Sequence, residues 1–369
     1  MSTGNVSDTP RGCLLGGAVG GALGAPIEFM RWDEIRKEYG PSGLQSMVSA
    51  YGRLGAITDD AQMTLFTAEA MIHARLRAAM RGMVSLRDVA CYSYQRWMLT
   101  QDEAVAPDDL EPRSLLLDAP ELRSRRGPGR TCLSALRAPK TSEGKARNDS
   151  KGCGGVMRAA PCGLFWLVDE SAGSTPFEHG VISLQITHGH PTGALTAGAL
   201  AHMVYAIGRG ASLRESAAQA LQLLASHPDH AETTQAIEGA IRLADIGARP
   251  GPLKIRELGE GWVAEEALAI GLYAALVATD LPEGLLLAVN HDGDSDSTGS
   301  IAGNLLGAVH GEQAIPQEWL TPLECCDLIT LVADDLVTCM APDMDPAAAA
   351  PPTADARRDY WRRWGFDLP

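Results

Sequence analysis

Aromatic side chains are scarce in this chain of 369 residues, at 5% of the total. Ala and Leu fill most of the remaining apolar positions, which argues for closely packed helices and against a β-sandwich. Positive charge is also in short supply. Thirty-one Lys and Arg face 46 Asp and Glu, and the resulting −15 argues against a generic nucleic-acid surface. No run reaches the roughly 18–20 apolar residues of a membrane span. The start, MSTGNVSDTPRG, lacks the basic-then-apolar pattern of a secretory leader. Eight cysteines are present, but Cys-x-x-Cys is absent and Cys325 and Cys326 are adjacent, which suits neither a zinc knuckle nor a simple bridge. These absences together lead us to expect a soluble, reduced, cytoplasmic protein, with a monomer as the default state.

Glycine, by contrast, is plentiful, with 39 residues. Residues 12–30 read as a helix with Gly12, Gly16, Gly20 and Gly24 on one face, open to another backbone. Each glycine costs about 1 kcal/mol of helix stability relative to Ala, so packing or a ligand must offset the loss. The stretch contains no G-x-G-x-x-G and follows no strand pattern, so it is not a dinucleotide fingerprint. The same spacing returns at Gly299, Gly303, Gly307 and Gly311. Apolar periodicity predicts helices over 59–80, 85–100, 155–168, 177–187, 191–208, 212–226, 230–246, 263–279, 281–290 and 321–340. Prolines 107, 112, 120, 128 and 139 make 101–151 a loop with one short helix near 131–138. With no alternating strand pattern of useful length, the expectation is all-α: a compact orthogonal helical bundle over 1–340. A Pro/Ala-rich linker and an aromatic-basic tail would fill 341–369, the YWRRW segment being either a core-docking strap or an exposed contact.

The chemistry concentrates in two acidic runs. One is Asp294-Ser295-Asp296-Ser297, preceded by His291-Asp292-Gly293 and followed by the second glycine row; the other is Thr58-Asp59-Asp60. Either Thr58 or Asp59 alone reads as a helix cap. Taken together, the runs offer carboxylates and hydroxyls at two helix starts, where helix dipoles are too weak to offset the mutual repulsion. Such oxygens could hold two divalent ions bridged by a carboxylate, Mg²⁺ or Mn²⁺ rather than zinc. Asp292 lies one residue outside the run and reads as a turn residue before Gly293. Glu28 in Pro-Ile-Glu-Phe, the Gly152–Gly155 turn and His188 in THGHP remain ambiguous taken singly. Residues 113–151 carry ten basic against four acidic side chains, read either as a solvated loop or as a field attracting a diphosphate.

The segments GCLLGGAVGGALGAPIEF, ITDDAQMTLF, KGCGGVMRAAP, THGHP and GDSDSTGSIAGNLLGA, in that order, resemble the ADP-ribosylglycohydrolase family, including its dinitrogenase-reductase-activating type. The resemblance implies a dinuclear Mg²⁺ or Mn²⁺ site in a central cleft, ligated by Thr58, Asp59, Asp60, Asp294, Asp296 and Ser297, the last replacing the family's usual threonine. It implies a place for Glu28 at the metal and substrate site, a phosphate cradle at Gly152, Cys153, Gly154 and Gly155 approached by Ser150 and Lys151, and His188 near a ribose. The implied reaction is hydrolysis of the C1″ bond of ADP-ribose to an acceptor on a modified protein or nucleic acid, with Asp294, Asp296 and Glu28 as the catalytic carboxylates and ADP-ribose as product. Arginine is the first-choice acceptor; serine, a nucleic-acid phosphate and a nucleobase stay open. Two alternatives stand beside it, a dinuclear-metal nucleotide pyrophosphohydrolase and a silent ADP-ribose- or partner-binding protein.

Overall fold

The structure is a computed structural model that describes residues 8–103, 114–139, 141–167, 175–247, 250–338 and 353–367. Its first third holds α1 (Asp8–Gly24), α2 (Trp32–Tyr39), α3 (Asp59–Arg81), α4 (Leu86–Thr100), α5 (Leu115–Asp118) and α6 (Arg130–Arg137). The middle holds α7 (Ala160–Phe165), α8 (Pro176–Gln185), α9 (Pro191–Gly208), α10 (Leu213–Leu224), α11 (Ala231–Asp245) and α12 (Pro252–Ile255). The last part holds α13 (Ala264–Val277), α14 (Leu281–Val289), α15 (Ser295–His310), α16 (Gln317–Leu320), α17 (Cys326–Val337) and α18 (Ala354–Arg363). The all-α expectation therefore holds. Among the described residues the only strands are Ser49–Ala50 and Arg53–Leu54, an antiparallel pair too short to show as alternation. None of the described helices is long and apolar enough to cross a membrane.

Helices α1 and α15 form the centre, each buried along nearly its whole length. They run antiparallel, with Gly12 against Gly307, Gly16 against Gly303 and Gly20 against Gly299. A Cβ added at any of these six would lie under 3.0 Å from a carbonyl oxygen of the other helix, so only glycine permits this approach. The two rows seen in the sequence are thus the two faces of one contact. Leu15, Val19, Leu23, Ile301 and Leu305 carry apolar contacts around it, and burial of such a side chain is worth about 1.5–3 kcal/mol. Helices α3, α9, α13, α14 and α17 pack around the pair. Gly303→Ala is expected to destabilise the protein by about 3 kcal/mol, the upper range for overpacking; a urea melt with an unchanged midpoint would remove the close-contact argument.

Several ends differ from the sequence reading. The first helix stops at Gly24 rather than residue 30, because Pro26 lacks the amide that would continue the ladder. The 155–168 segment begins as a short 3-10 turn, Cys153–Gly155, and is regular only from Ala160 to Phe165. Helix α2 was not anticipated, and the last long helix starts late, at Cys326, after Cys325 takes a left-handed φ of 60°. Of the two roles open to the YWRRW tail, the structure has the strap. Tyr360, Trp361 and Trp364 are buried, and Trp364 Nε1 donates to Asp335 Oδ2 at 3.0 Å. Residues 341–352 of the expected linker and prolines 107 and 112 lie outside the described residues.

Candidate active site

The close approach of α1 and α15 brings three chain segments to one point. Gly21 of α1 sits where the two acidic runs meet, and a Cβ there would lie 3.5 Å from Thr58 Oγ1 and 3.9 Å from Asp296 O. Gly24 abuts Ser295, so the turn that follows carries Glu28 to the same place. Thr58, Asp59, Asp60, Asp294, Asp296 and Ser297 are all buried there.

The capping alternative can be judged directly. Thr58 occupies the N-cap position of α3 but makes no capping bond, and its Oγ1 instead donates to Asp60 Oδ2 at 3.1 Å. Asp59 Oδ2 accepts from Gly129 N at 3.1 Å, and the Asp59 amide donates to Arg126 O at 2.9 Å. Asp294 does cap α15, its Oδ1 accepting from Ser297 N at 3.3 Å. Its other oxygen accepts from the Cys153 thiol at 2.6 Å, and Asp296 Oδ1 accepts from Ser297 N at 3.0 Å. The Ser297 hydroxyl donates to Met157 Sδ at 3.7 Å.

Two triads of carboxylate oxygens result, Glu28–Asp294–Asp296 and Asp59–Asp60–Asp296, with the atoms of each within 4.8 Å of one another. Asp296 belongs to both. None of these five carboxylates forms an ion pair among the described residues, and Asp60 Oδ1 is buried with no hydrogen-bond partner. Like charges about 4 Å apart repel by about 4 kcal/mol per pair at a protein-surface dielectric. In their own company the acids are therefore harder to ionise than free carboxylates. Burial and then Asp296 push Asp59 up to about 8, and burial followed by Asp296, Asp294 and Asp59 pushes Glu28 up to about 10. Burial also raises Asp60, Asp294 and Asp296. An all-oxygen cluster with no cationic side chain paired to it among the described residues, and with one orphaned buried oxygen, fits a pair of hard divalent cations.

The neighbouring turn supplies the other residues named from the sequence. Ser150 Oγ accepts from Gly152 N at 3.2 Å, and Cys153 N donates to Trp262 O at 3.2 Å, so two of the turn's amides are already engaged. Gly152 and Gly154 both face His188, whose Nε2 would lie 3.4 Å from a Cβ on Gly152. His188 is buried, with Nδ1 2.8 Å from Thr187 Oγ1, and burial followed by Arg158 pushes its pKa down to about 3, leaving it neutral. Lys151 departs from the expected approach to a phosphate, since its ammonium pairs with Glu232 at 2.7 Å and with Glu265. Much of the basic 113–151 stretch is likewise paired: Arg125 and Arg137 with Glu103, Arg126 with Glu324, Lys145 with Glu143. Arg113 and Lys140 fall outside the described residues.

Sequence reasoning assigned no individual role to Arg158, Tyr51 or Trp262, and a different one to Asp292. Arg158 is fully buried and has no carboxylate partner among the described residues; it donates to Gly154 O at 2.5 Å and Thr187 Oγ1 at 2.7 Å, holding both the turn and His188. Tyr51 sits at the hairpin tip with a positive φ of 51°, and burial together with Glu28, Asp296, Asp59 and Asp60 raises its hydroxyl pKa. Trp262 stacks on exposed Phe29 with ring centroids 5.6 Å apart, next to Glu28. Asp292, read as a turn residue, is a buried clamp that accepts from Trp32 N at 2.7 Å and pairs with Arg256.

Carboxylates aimed from three segments at one point, beside a glycine turn, define a helical protein with an acidic centre whose oxygens could hold cations. The chain belongs to the ADP-ribosylglycohydrolase family, whose model matches residues 2–345. It is 27% identical over 329 residues to the ADP-ribosyl-[dinitrogen reductase] glycohydrolase of Rhodospirillum rubrum, covering 88% of this chain and 93% of that one. It is 25% identical over 340 residues to the ADP-ribosylarginine hydrolase Tri1 of Pseudomonas putida, covering 92% of this chain and 80% of that one. Among solved structures, a chain titled ADP-ribosylglycohydrolase-related protein complex superposes with a TM-score of 0.61 at 25% identity, over 90% of this chain and 98% of that one.

Proposed function

We propose that this ADP-ribosyl glycohydrolase cleaves the C1″–N bond between ADP-ribose and an arginine side chain, using two Mg²⁺ or Mn²⁺ ions held at the acidic centre. The observation that carries the reading is the pair of carboxylate triads sharing Asp296. The arginine acceptor is supported by the name of the Pseudomonas putida relative. Thr58, Asp59, Asp60, Asp294, Asp296 and Ser297 would hold the ions, and Glu28 closes the first triad. Bound there, divalent cations supply the positive charge that lets the carboxylates ionise and that attracts the ribose hydroxyls.

The chain's own groups do the rest. The Gly152–Gly155 turn receives the diphosphate, and neutral His188, fixed by Thr187, offers Nε2 to a ribose hydroxyl. The flat face of Trp262 suits the purine. A carboxylate oxygen of Asp294 or Asp296 orients a water and takes its proton as the C1″–O bond forms. The C1″–N electron pair leaves with the guanidine nitrogen. Glu28, whose pKa burial and the neighbouring acids raise, delivers a proton to that nitrogen.

The test is a panel of arginine-, serine-, DNA- and guanosine-linked ADP-ribose with and without EDTA, products resolved by chromatography. The expected result is ADP-ribose from the arginine conjugate, lost with EDTA. AMP as product would make the protein a pyrophosphohydrolase, and tight ADP-ribose binding without turnover would make it a silent binder. In the same assay Trp262→Ala should raise KM about tenfold with kcat little changed, the scale of one base–aromatic stack; an unchanged KM removes the purine assignment.

A further inference from the structure

We propose that Glu324 is a positioning residue for the acidic centre, fixing the Thr58–Asp60 run from two directions at once. The inference rests on the reading of that centre as a divalent-cation site. Glu324 lies in the connection between α16 and α17, 3% exposed, and its sequence neighbours Leu323 and Cys325 gave no hint of a role. It touches no carboxylate of the site.

The first route runs along the chain. The Glu324 amide donates to Gly55 O at 2.8 Å, and its Oε2 accepts from Ile57 N at 3.2 Å. Residue 324 therefore brackets 55–57, the three residues that enter the Thr58 cap. Gly55 has a φ of +70°, and any Cβ there would run into Pro322 O, so the bracket is closed from both sides.

The second route runs through Arg126. Its guanidinium meets the Glu324 carboxylate with Nη2–Oε1 2.8 Å and Nε–Oε2 3.4 Å, and Arg53 adds a contact to Oε1 at 3.1 Å. The same Arg126 lends its carbonyl to the Asp59 amide, and three residues on, Gly129 N donates to Asp59 Oδ2. The 126–129 turn thus wraps Asp59 at backbone and side chain. Arg126 also lies over the Tyr51 ring at 5.5 Å. One buried residue holds both the 55–57 segment leading into Asp59 and the turn that orients its oxygen. The charge is needed for the second route but not for the first, since an amide oxygen could still accept from Ile57 N.

The experiment measures Mn²⁺ binding by the full chain, by calorimetry and by the paramagnetic signal of free Mn²⁺, alongside melting in EDTA. Glu324→Gln should melt like wild type in EDTA yet bind Mn²⁺ about tenfold more weakly, the scale reported for groups that orient metal ligands. Glu324→Ala should lose more, and Arg126→Met, which leaves the Ile57 bond intact, should match Glu324→Gln. Wild-type Mn²⁺ affinity in folded Glu324→Gln and Arg126→Met overturns the proposal, whatever becomes of Glu324→Ala. Asp59→Asn/Asp60→Asn serves as the separate control. If it too binds Mn²⁺ normally, the cation-site reading itself fails.

Discussion

Asp296→Asn is expected to lower kcat/KM for ADP-ribose release by on the order of 10³-fold at saturating Mn²⁺, comparable to deleting a preorganised electrostatic partner. Asparagine keeps the shape and can still accept from Ser297 N, so the helix start survives. What goes is the one negative charge common to both triads. Asp59→Asn removes charge from one triad only and still accepts from Gly129, so its loss should be smaller, about 10–100-fold. Steady-state kinetics together with Mn²⁺ bound per chain decide the matter. Activity of Asp296→Asn within tenfold of wild type would eliminate the shared-carboxylate arrangement as the basis of catalysis.

A second large effect concerns the metal-free protein. Its acids hold protons in the folded state at pH values where the unfolded chain has released them, Asp59 to about 8 and Glu28 to about 10. Raised carboxyl pKa values mean that the folded state binds more protons, so stability is greatest below the unfolded values near 4 and declines as pH rises through the folded ones. Each group so held contributes about 1.4 kcal/mol per pH unit until it ionises. In EDTA the melting temperature should fall by about 5 °C or more between pH 5 and pH 8. Added Mg²⁺ or Mn²⁺ should restore it far more at pH 8 than at pH 5, because cations and protons compete for the same oxygens. Equal cation-induced shifts at both pH values would contradict the linkage.

What the sequence made legible was what it encodes locally. Thr58-Asp59-Asp60 and Asp294-Ser295-Asp296-Ser297 are contiguous runs at helix starts, and the glycines recur every four residues, so both could be read without knowing the fold. The pairing of the rows, and hence the meeting of the runs, followed once α1 faced α15. Glu324, Asp292 and Arg158 could not be found that way. Each takes its role from a partner outside its own run, Ile57 for Glu324, Trp32 for Asp292 and Thr187 for Arg158. Lys151 shows the converse. Its position beside the glycine turn suggests a phosphate ligand, yet Glu232 and Glu265, contributed by distant helices, neutralise it. Helix ends were misread where a proline or a cluster of glycines cut a periodic pattern short.

The glycine-faced contact also sets a timetable for synthesis. Cys13 and Asn304, joined across it by a 2.9 Å hydrogen bond, stand 291 residues apart. A ribosome adding about 5–20 residues per second needs roughly 15–60 seconds to cover that distance. Throughout that interval α1 lacks the glycine face of α15, and Thr58-Asp59-Asp60 is an acidic run with no second half. The centre of this enzyme is assembled from segments that the ribosome delivers 291 residues apart, so the site cannot close until the later one emerges.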